Sequence, residues 1–350
     1  NRIINQWDAS QLIDGTKNHG ALTWINDGQQ LVVWDDRRAS VVDIQGKVQT
    51  SIEFDQGTGP AQGPPNLPVP VQRAVESEAN GERVAFGCRD GNIRIWDTQT
   101  NTLQVLRSER GNESISAVHW SPDGRFLAAL RAQQWIYGMS LEIWSHDGLL
   151  QSTIPAEQLN VEHQYANEFA WSPDSRSLVL GSGRVVDTQG KLQREFDLRV
   201  EPSGEKRRIT SVWVPAWSID QGGSQRIDFV ATGDTYGLQC GRVQSITPTG
   251  RALPSSPFGN ILQPQALNWI EETGELAAVF GYLDRSEMRT WTIDGQPQSA
   301  VAIPKFVTGM INADSGKLLC NSGPTFTLLD RRGGVLGTHE FGERFELGQW

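Results

Sequence analysis

The phrase HWSPDGRFLAAL at 119–130 returns as AWSPDSRSLVL at 170–180. Two apolar runs either side of a Pro-Asp-Gly or Pro-Asp-Ser turn read as strand, tight turn, strand. A chain that repeats such a phrase must stack like units on one another, because one unit cannot bury its apolar face alone. Weaker copies of the turn occur as NDG 26–28, ANG 79–81, ETG 272–274 and DSG 314–316, with a looser DQGG at 220–223. Successive turns lie roughly 42 to 53 residues apart, near the period of a four-stranded unit.

A second set of turns is equally regular: IQGK 44–47, TQTN 98–101, HDG 146–148, TQG 188–190, PTG 248–250, IDG 294–296 and RRGG 331–334. Between the turns stand short runs such as ISAVHW, FLAAL, LEIW and LLQSTI, rich in β-formers, and helical spacing is not sustained anywhere. The 36 Gly and 17 Pro supply the turn chemistry such a chain needs. This predicts an all-β chain, one domain over residues 1–350, with seven complete four-stranded units from about 20 to 342. At the ends, RIINQWDASQLID (2–14) reads as third and fourth strands and FELGQW (345–350) as a first strand. They either combine into a split eighth unit or flank a ring of seven, as expected where a domain is cut from a longer chain.

GCRDGNIRIWD (87–97), together with the WSPDG turns, resembles the WD40-repeat β-propellers. The resemblance extends along the chain and is strongest in two or three units. It implies a WD40-like propeller whose blades are the four-stranded units. In that family a Trp on the third strand, a Ser or Thr on the second, an Asp in the turn between them and a His before the first strand form a hydrogen-bonded brace. Trp96 and Asp90 match, but Cys88 stands where the Ser or Thr belongs. The Gly-His dipeptide is missing, and His19 lies too close to its strand to replace it.

A propeller joins strands two and three, and strand four to the next blade, on one face. The long segments fall mostly there: 55–70, 131–140, 155–167, 198–208, 233–241, 255–265 and 281–288. The single long segment on the opposite face is 214–226. All four tyrosines, Tyr137, Tyr165, Tyr236 and Tyr282, lie in the first group, with Trp135. Tyr and Trp bring large, rigid contact area and are enriched at binding hot spots. Loop growth on one face of a repeat array marks its binding side. Those five aromatics are therefore the expected contacts, with Arg207, Arg208 and Arg285 to orient an acidic group on the partner.

Other chemistries lack their patterns. The five histidines show no metal-ligand spacing, and no GxSxG elbow is present, so neither a metal nor a catalytic constellation is expected. GTGPAQG (57–63) lacks the GK[ST] ending of a phosphate loop. A formal charge of −10, with basic residues scattered in pairs, argues against nucleic acid and anionic membrane. Three cysteines without a CxxC pair point to a reducing compartment such as the cytoplasm. The expectation is a monomeric, non-catalytic scaffold without cofactor that binds a protein or peptide. The alternative places a small ligand or a reaction at the mouth of the central channel, where Asp234, Asp284, Glu287 and His163 would converge.

Overall fold

A computed structural model describes most of the chain between Ala21 and Glu340. Residues 1–20, 56–74, 160–168, 197–208, 248–255, 258–265 and 341–350, and connections of one to five residues between strands, lie outside the described residues. The terminal strands expected at 2–14 and 345–350 fall there.

The described residues form seven four-stranded antiparallel sheets, each a simple meander. Sheet 1 comprises β1 (Ala21–Ile25), β2 (Gln30–Trp34), β3 (Arg38–Asp43) and β4 (Val48–Glu53). Sheet 2 comprises β5 (Val75–Ser77), β6 (Arg83–Gly87), β7 (Ile93–Asp97) and β8 (Thr102–Leu106). Sheet 3 holds β9 (Ser114–Trp120), β10 (Phe126–Gln133), β11 (Ile136–Ser145) and β12 (Leu150–Pro155), followed by the one-turn helix α1 (Ala156–Leu159). Sheet 4 holds β13 (Phe169–Trp171), β14 (Ser177–Leu180), β15 (Arg184–Asp187) and β16 (Leu192–Glu195). Sheet 5 is built of β17 (Ile209–Ile219), β18 (Gln225–Thr235), β19 (Leu238–Ile246) and β20 (Ser256–Pro257). Sheet 6 is β21 (Ala266–Ile270), β22 (Glu275–Tyr282), β23 (Arg285–Trp291) and β24 (Pro297–Ile303). Sheet 7 is β25 (Gly309–Ala313), β26 (Lys317–Ser322), β27 (Thr325–Leu329) and β28 (Val335–Glu340).

First strands pack against first strands: β1 on β5, β5 on β9, β9 on β13, β13 on β17, and β21 on β25. Apolar layers fill the spaces between sheets. Val32, Trp34, Phe86 and Trp96 join sheets 1 and 2; Ile95, Ile115, Leu127 and Trp144 join sheets 2 and 3. Leu130, Ile143, Trp171 and Leu178 join sheets 3 and 4. In sheets 1 to 3 the second strands are covered on both faces, which is why LVVW, VAFG and FLAAL read as unbroken apolar runs rather than alternating ones.

The repeated phrase is the joint between sheets. Ser121 Oγ shares a hydrogen bond with Asp123 Oδ1 at 2.8 Å and accepts from Phe126 N at 2.9 Å. Ser172 does the same with Asp174, at 2.6 Å, and with Ser177 N, at 3.0 Å. Gly124 and Ser175, at the same place in the two copies, both take positive φ, +68° and +59°. Ser175 Oγ accepts a hydrogen bond from Asp123 N at 3.1 Å, so one copy of the turn is tied to the other. The Trp before each turn also reaches back one sheet. Trp120 Nε1 donates to Glu76 O at 3.3 Å, and Trp171 Nε1 donates to His119 O at 2.9 Å. Trp217 holds the corresponding place in sheet 5 and packs against the cluster of Val179, Val185, Phe196 and Ile227, but its buried Nε1 makes no hydrogen bond among the described residues.

A second repeated device closes the third-to-fourth turns. In DIQGKVQ (43–49), Asp43 Oδ1 accepts from the backbone of Gln45 and Lys47, both at 2.9 Å, while Oδ2 accepts from Gln49 Nε2 at 2.8 Å. DTQGKLQ (187–193) repeats this through Asp187, Gln189, Lys191 and Gln193. The Asp and Gln that bracket these turns are as constrained as the Gly within them.

Several connections differ from expectation. Segments 131–140, 233–241 and 281–288 are not loops but the ends of long hairpins, joined by residues 134–135, 236–237 and 283–284 alone. On the opposite face, the long connection expected at 214–226 contracts to 220–224, because β17 runs on to Ile219. Pro215 is accommodated at a register shift in β17, where a proline does not break the ladder.

Candidate functional site

The meander order sends every second-to-third connection to one end of its sheet, the end where β10–β11, β18–β19 and β22–β23 extend furthest. Of the eight residues expected to bind a partner, three lie in described strands. Tyr282 closes β22, Arg285 opens β23, and the two are register partners across the tip of their hairpin. Tyr137 lies one residue into β11, between the pairs Gln133↔Ile136 and Ala132↔Gly138, where the register shifts. Such a bulge twists a hairpin end. Trp135 and Tyr236 belong to the two-residue connections of their hairpins and, like Tyr165, Arg207 and Arg208, lie outside the described residues.

The hairpin carrying Tyr137 is rooted in buried charge. Arg131 and Glu142 are 1% and 0% exposed, and Arg131 Nε donates to Glu142 Oε1 at 2.7 Å. Arg131 also donates to Glu113 O at 3.3 Å, just before β9, and to Gly91 O at 2.8 Å, crossing to the second-to-third turn of sheet 2. Glu142 Oε2 accepts from Trp144 Nε1 at 3.2 Å. One guanidinium therefore fixes the base of β10–β11 to its neighbour. Sequence reading passed over it because an Arg and a Glu eleven residues apart carry no motif. The signal available was an Arg directly following the buried run FLAAL.

The turn it grips is the one that matches the WD40 pattern, and its brace is rebuilt. Trp96 Nε1 donates to Asn101 Oδ1 at 3.1 Å rather than to position 88. Cys88, fully buried, points its thiol at Phe86 O at 3.4 Å. Burial pushes that thiol up to about 12, against an opposing pull from Arg94, so it stays a neutral apolar filler. Asp90 holds Arg94 through two bonds, of 3.0 and 2.6 Å, and accepts from Asn92. Burial alone would raise its carboxyl, but the hydrogen bonds from Arg94 and Asn92 outweigh it and hold Asp90 below the ordinary carboxylate value.

Of the groups proposed for a channel-mouth chemistry, Glu287 is the one whose side chain is described. Glu287 Oε1 accepts from Arg289 Nε at 2.7 Å. Asp234 is paired in register with Gln239 on β19, while Asp284 and His163 lie outside the described residues. His119 sits between sheets, with Nδ1 3.4 Å from Glu76 and its ring edge-on to Phe169 at 4.7 Å, a structural position. Among the described residues no cluster of His, Cys, Asp or Glu has the geometry to hold a metal ion. No described helix is long and apolar enough to cross a membrane.

Comparison with known proteins places the sequence signal where the brace lies. The WD40 family (WD domain, G-beta repeat) matches residues 70–97 and 101–133, the sheet 2 and sheet 3 region. Abnormal embryogenesis protein 30 of Caenorhabditis elegans is 38% identical over 60 residues, which covers 15% of this chain and 6% of that protein. A chain in the crystal structure of a mitotic checkpoint complex superimposes with a TM-score of 0.59 at 16% identity, covering 86% of both chains. The long-period sheets, the turn chemistry and these matches agree on an all-β chain of β-propeller fold that carries WD40 repeats at residues 70–97 and 101–133.

Proposed function

We propose that this propeller is a non-catalytic scaffold that binds a protein or peptide through its extended hairpin tips. The observation that carries this reading is the set of three long hairpins, β10–β11, β18–β19 and β22–β23, each with a Trp or Tyr at or beside its connection. Strand-backed tips lose little freedom on binding, which favours affinity over what a loose loop of the same composition achieves. The similar propeller in the mitotic checkpoint complex works within a multi-protein assembly, in keeping with such a role. Arg285, register partner of Tyr282, supplies a cation for an acidic group beside an aromatic anchor.

The test is affinity capture with mass spectrometry, comparing the wild type with a Trp135→Ala/Tyr236→Ala/Tyr282→Ala variant shown by circular dichroism to be folded. A partner held by the wild type should be lost, since truncating one true hot spot costs about 2 kcal/mol or more. Retention of the same partners by both proteins would remove the tips from the binding surface.

A further inference from the structure

Outer strands of propeller blades are sheet edges, and an edge offers unpaired backbone donors and acceptors to any extended chain. In this protein the described outer strands are blunted, with one exception. β4, β12, β16, β24 and β28 each show a register shift against the neighbouring strand. Charge is added at Glu53, Glu195 and Glu340, and proline at Pro155 and Pro297. β20 has only two residues. β8 has none of these devices: TLQVL carries neither charge nor proline, and its register against β7 is unbroken from Asp97↔Thr102 to Ile93↔Leu106.

This undefended strand is also open. Four of its five residues are exposed, with Leu103 at 37% and Val105 at 38% on one face. On the other face, Gln104 lies against the turn at Gly148, which leads into Leu149 at 65% and Leu150 at 43% exposure. Apolar side chains thus flank, on both sides, an edge that pairs with no further strand among the described residues. A site that excluded partners would place a lysine or a bulge here.

We propose that the outer edge of β8 receives an extended peptide as a fifth strand of sheet 2, antiparallel to β8, with apolar residues at alternate positions and a basic residue at its C-terminal end. The charge order sets the direction. β8 opens from the turn that bears Asp97, and it ends at the exposed Arg107. An antiparallel strand therefore starts near a cation and finishes near a carboxylate. A second copy of this chain fits less well: it would set one net charge of −10 against another, and a five-residue edge is short of the contact area of a stable dimer. The main-chain bonds give affinity, while the flanking leucines and Val105 select alternate side chains.

The probe is a fluorescein-labelled Glu-Val-Thr-Val-Thr-Val-Lys peptide, read by fluorescence anisotropy against the full chain. Binding should be saturable, and about tenfold or more weaker with a Leu103→Lys/Val105→Lys protein, a loss of about 1.4 kcal/mol. A peptide N-methylated at alternate residues, which keeps its side chains but loses its backbone donors, should be weakened to the same degree on the wild-type protein. That arm holds even if the protein variant fails to fold. The Trp135→Ala/Tyr236→Ala/Tyr282→Ala variant should bind the probe as the wild type does, which separates this edge from the hairpin tips. Absence of saturable binding, or equal binding of the N-methylated peptide, would overturn the proposal. So would a wild-type dimer in sedimentation that Leu103→Lys/Val105→Lys dissolves, since the edge would then belong to a second copy. Equal binding of the charge-reversed Lys-Val-Thr-Val-Thr-Val-Glu would overturn the assigned direction.

Discussion

The two ends of the sheets are held by different means. At the end carrying the first-to-second turns, the joints are many, small and repeated: a Ser-Asp turn, a Trp reaching back one sheet, a Ser175 hydroxyl on Asp123 N. At the hairpin end, the described joint between sheets 2 and 3 is concentrated in one backbone bond, Ile115 N to Cys88 O at 3.0 Å, and one buried guanidinium, Arg131, bonded to Glu142, to Gly91 O in the neighbouring turn and to Glu113 O just before β9. A distributed joint tolerates the loss of one member. A concentrated one does not, yet it leaves the sequence beyond it free to vary, and that is where the hairpins grow.

The largest expected effect follows directly. Arg131→Met removes the counter-charge of a fully buried carboxylate and leaves Gly91 O and Glu113 O without that donor. Breaking a buried pair in this way costs about 3–5 kcal/mol, read as a shift in the chemical denaturation midpoint. The double variant Arg131→Met/Glu142→Leu should recover much of the loss, because it removes the buried carboxylate as well. A single substitution costing less than about 1 kcal/mol would break the contrast between the two ends.

Much of this was legible in the sequence, and the parts that were not share a cause. The meander, its period and both sets of turns are written in Gly, Asp and short apolar runs, because backbone conformation at a tight turn restricts residue choice locally. The buried pair Arg131–Glu142 and the rewired Trp96–Asn101 bond are settled by packing between strands, which local pattern does not encode. The tips were located correctly along the chain but mistaken for loops. Residues such as Gln133 and Thr235 extend a strand only because a partner lies opposite, at Ile136 and Leu238. The approach of the tip aromatics to one another is a question of tertiary geometry, which spacing along the chain does not address.

A middle-sized effect sharpens the comparison by pH. Asp90, at the hairpin end of sheet 2, has its carboxyl held below the ordinary value of 3.8, so the unfolded chain binds the proton more readily than the folded one. Its contribution to stability is thus complete above that value and disappears as the pH falls through the lower folded value. Asp90→Asn should cost about 1.5–3 kcal/mol at neutral pH, the worth of hydrogen bonds to a charged group. The gap between variant and wild type should close below pH 3.8, and a gap constant with pH would mean that the charge on Asp90 contributes nothing.

The smallest effect probes the distributed joint itself. Ser175→Gly removes a hydroxyl that accepts from Asp123 N, which costs about 1 kcal/mol, but it also frees a residue held at φ +59°. The two terms oppose, so the thermal midpoint should move by no more than about 2 °C. The reciprocal change, Gly124→Ser, has no such balance: at φ +68° its Cβ would overlap the Glu78 carboxylate, which itself pairs with Arg83 at 2.8 Å. Identical positions in two copies of one phrase should therefore respond unequally, with Gly124→Ser the more damaging. The difference lies in the preceding sheet. Sheet 2 presents Glu78 to Gly124, whereas the turn before Ser175 presents a backbone N–H, so each copy of the phrase is adapted to the neighbour it must grip.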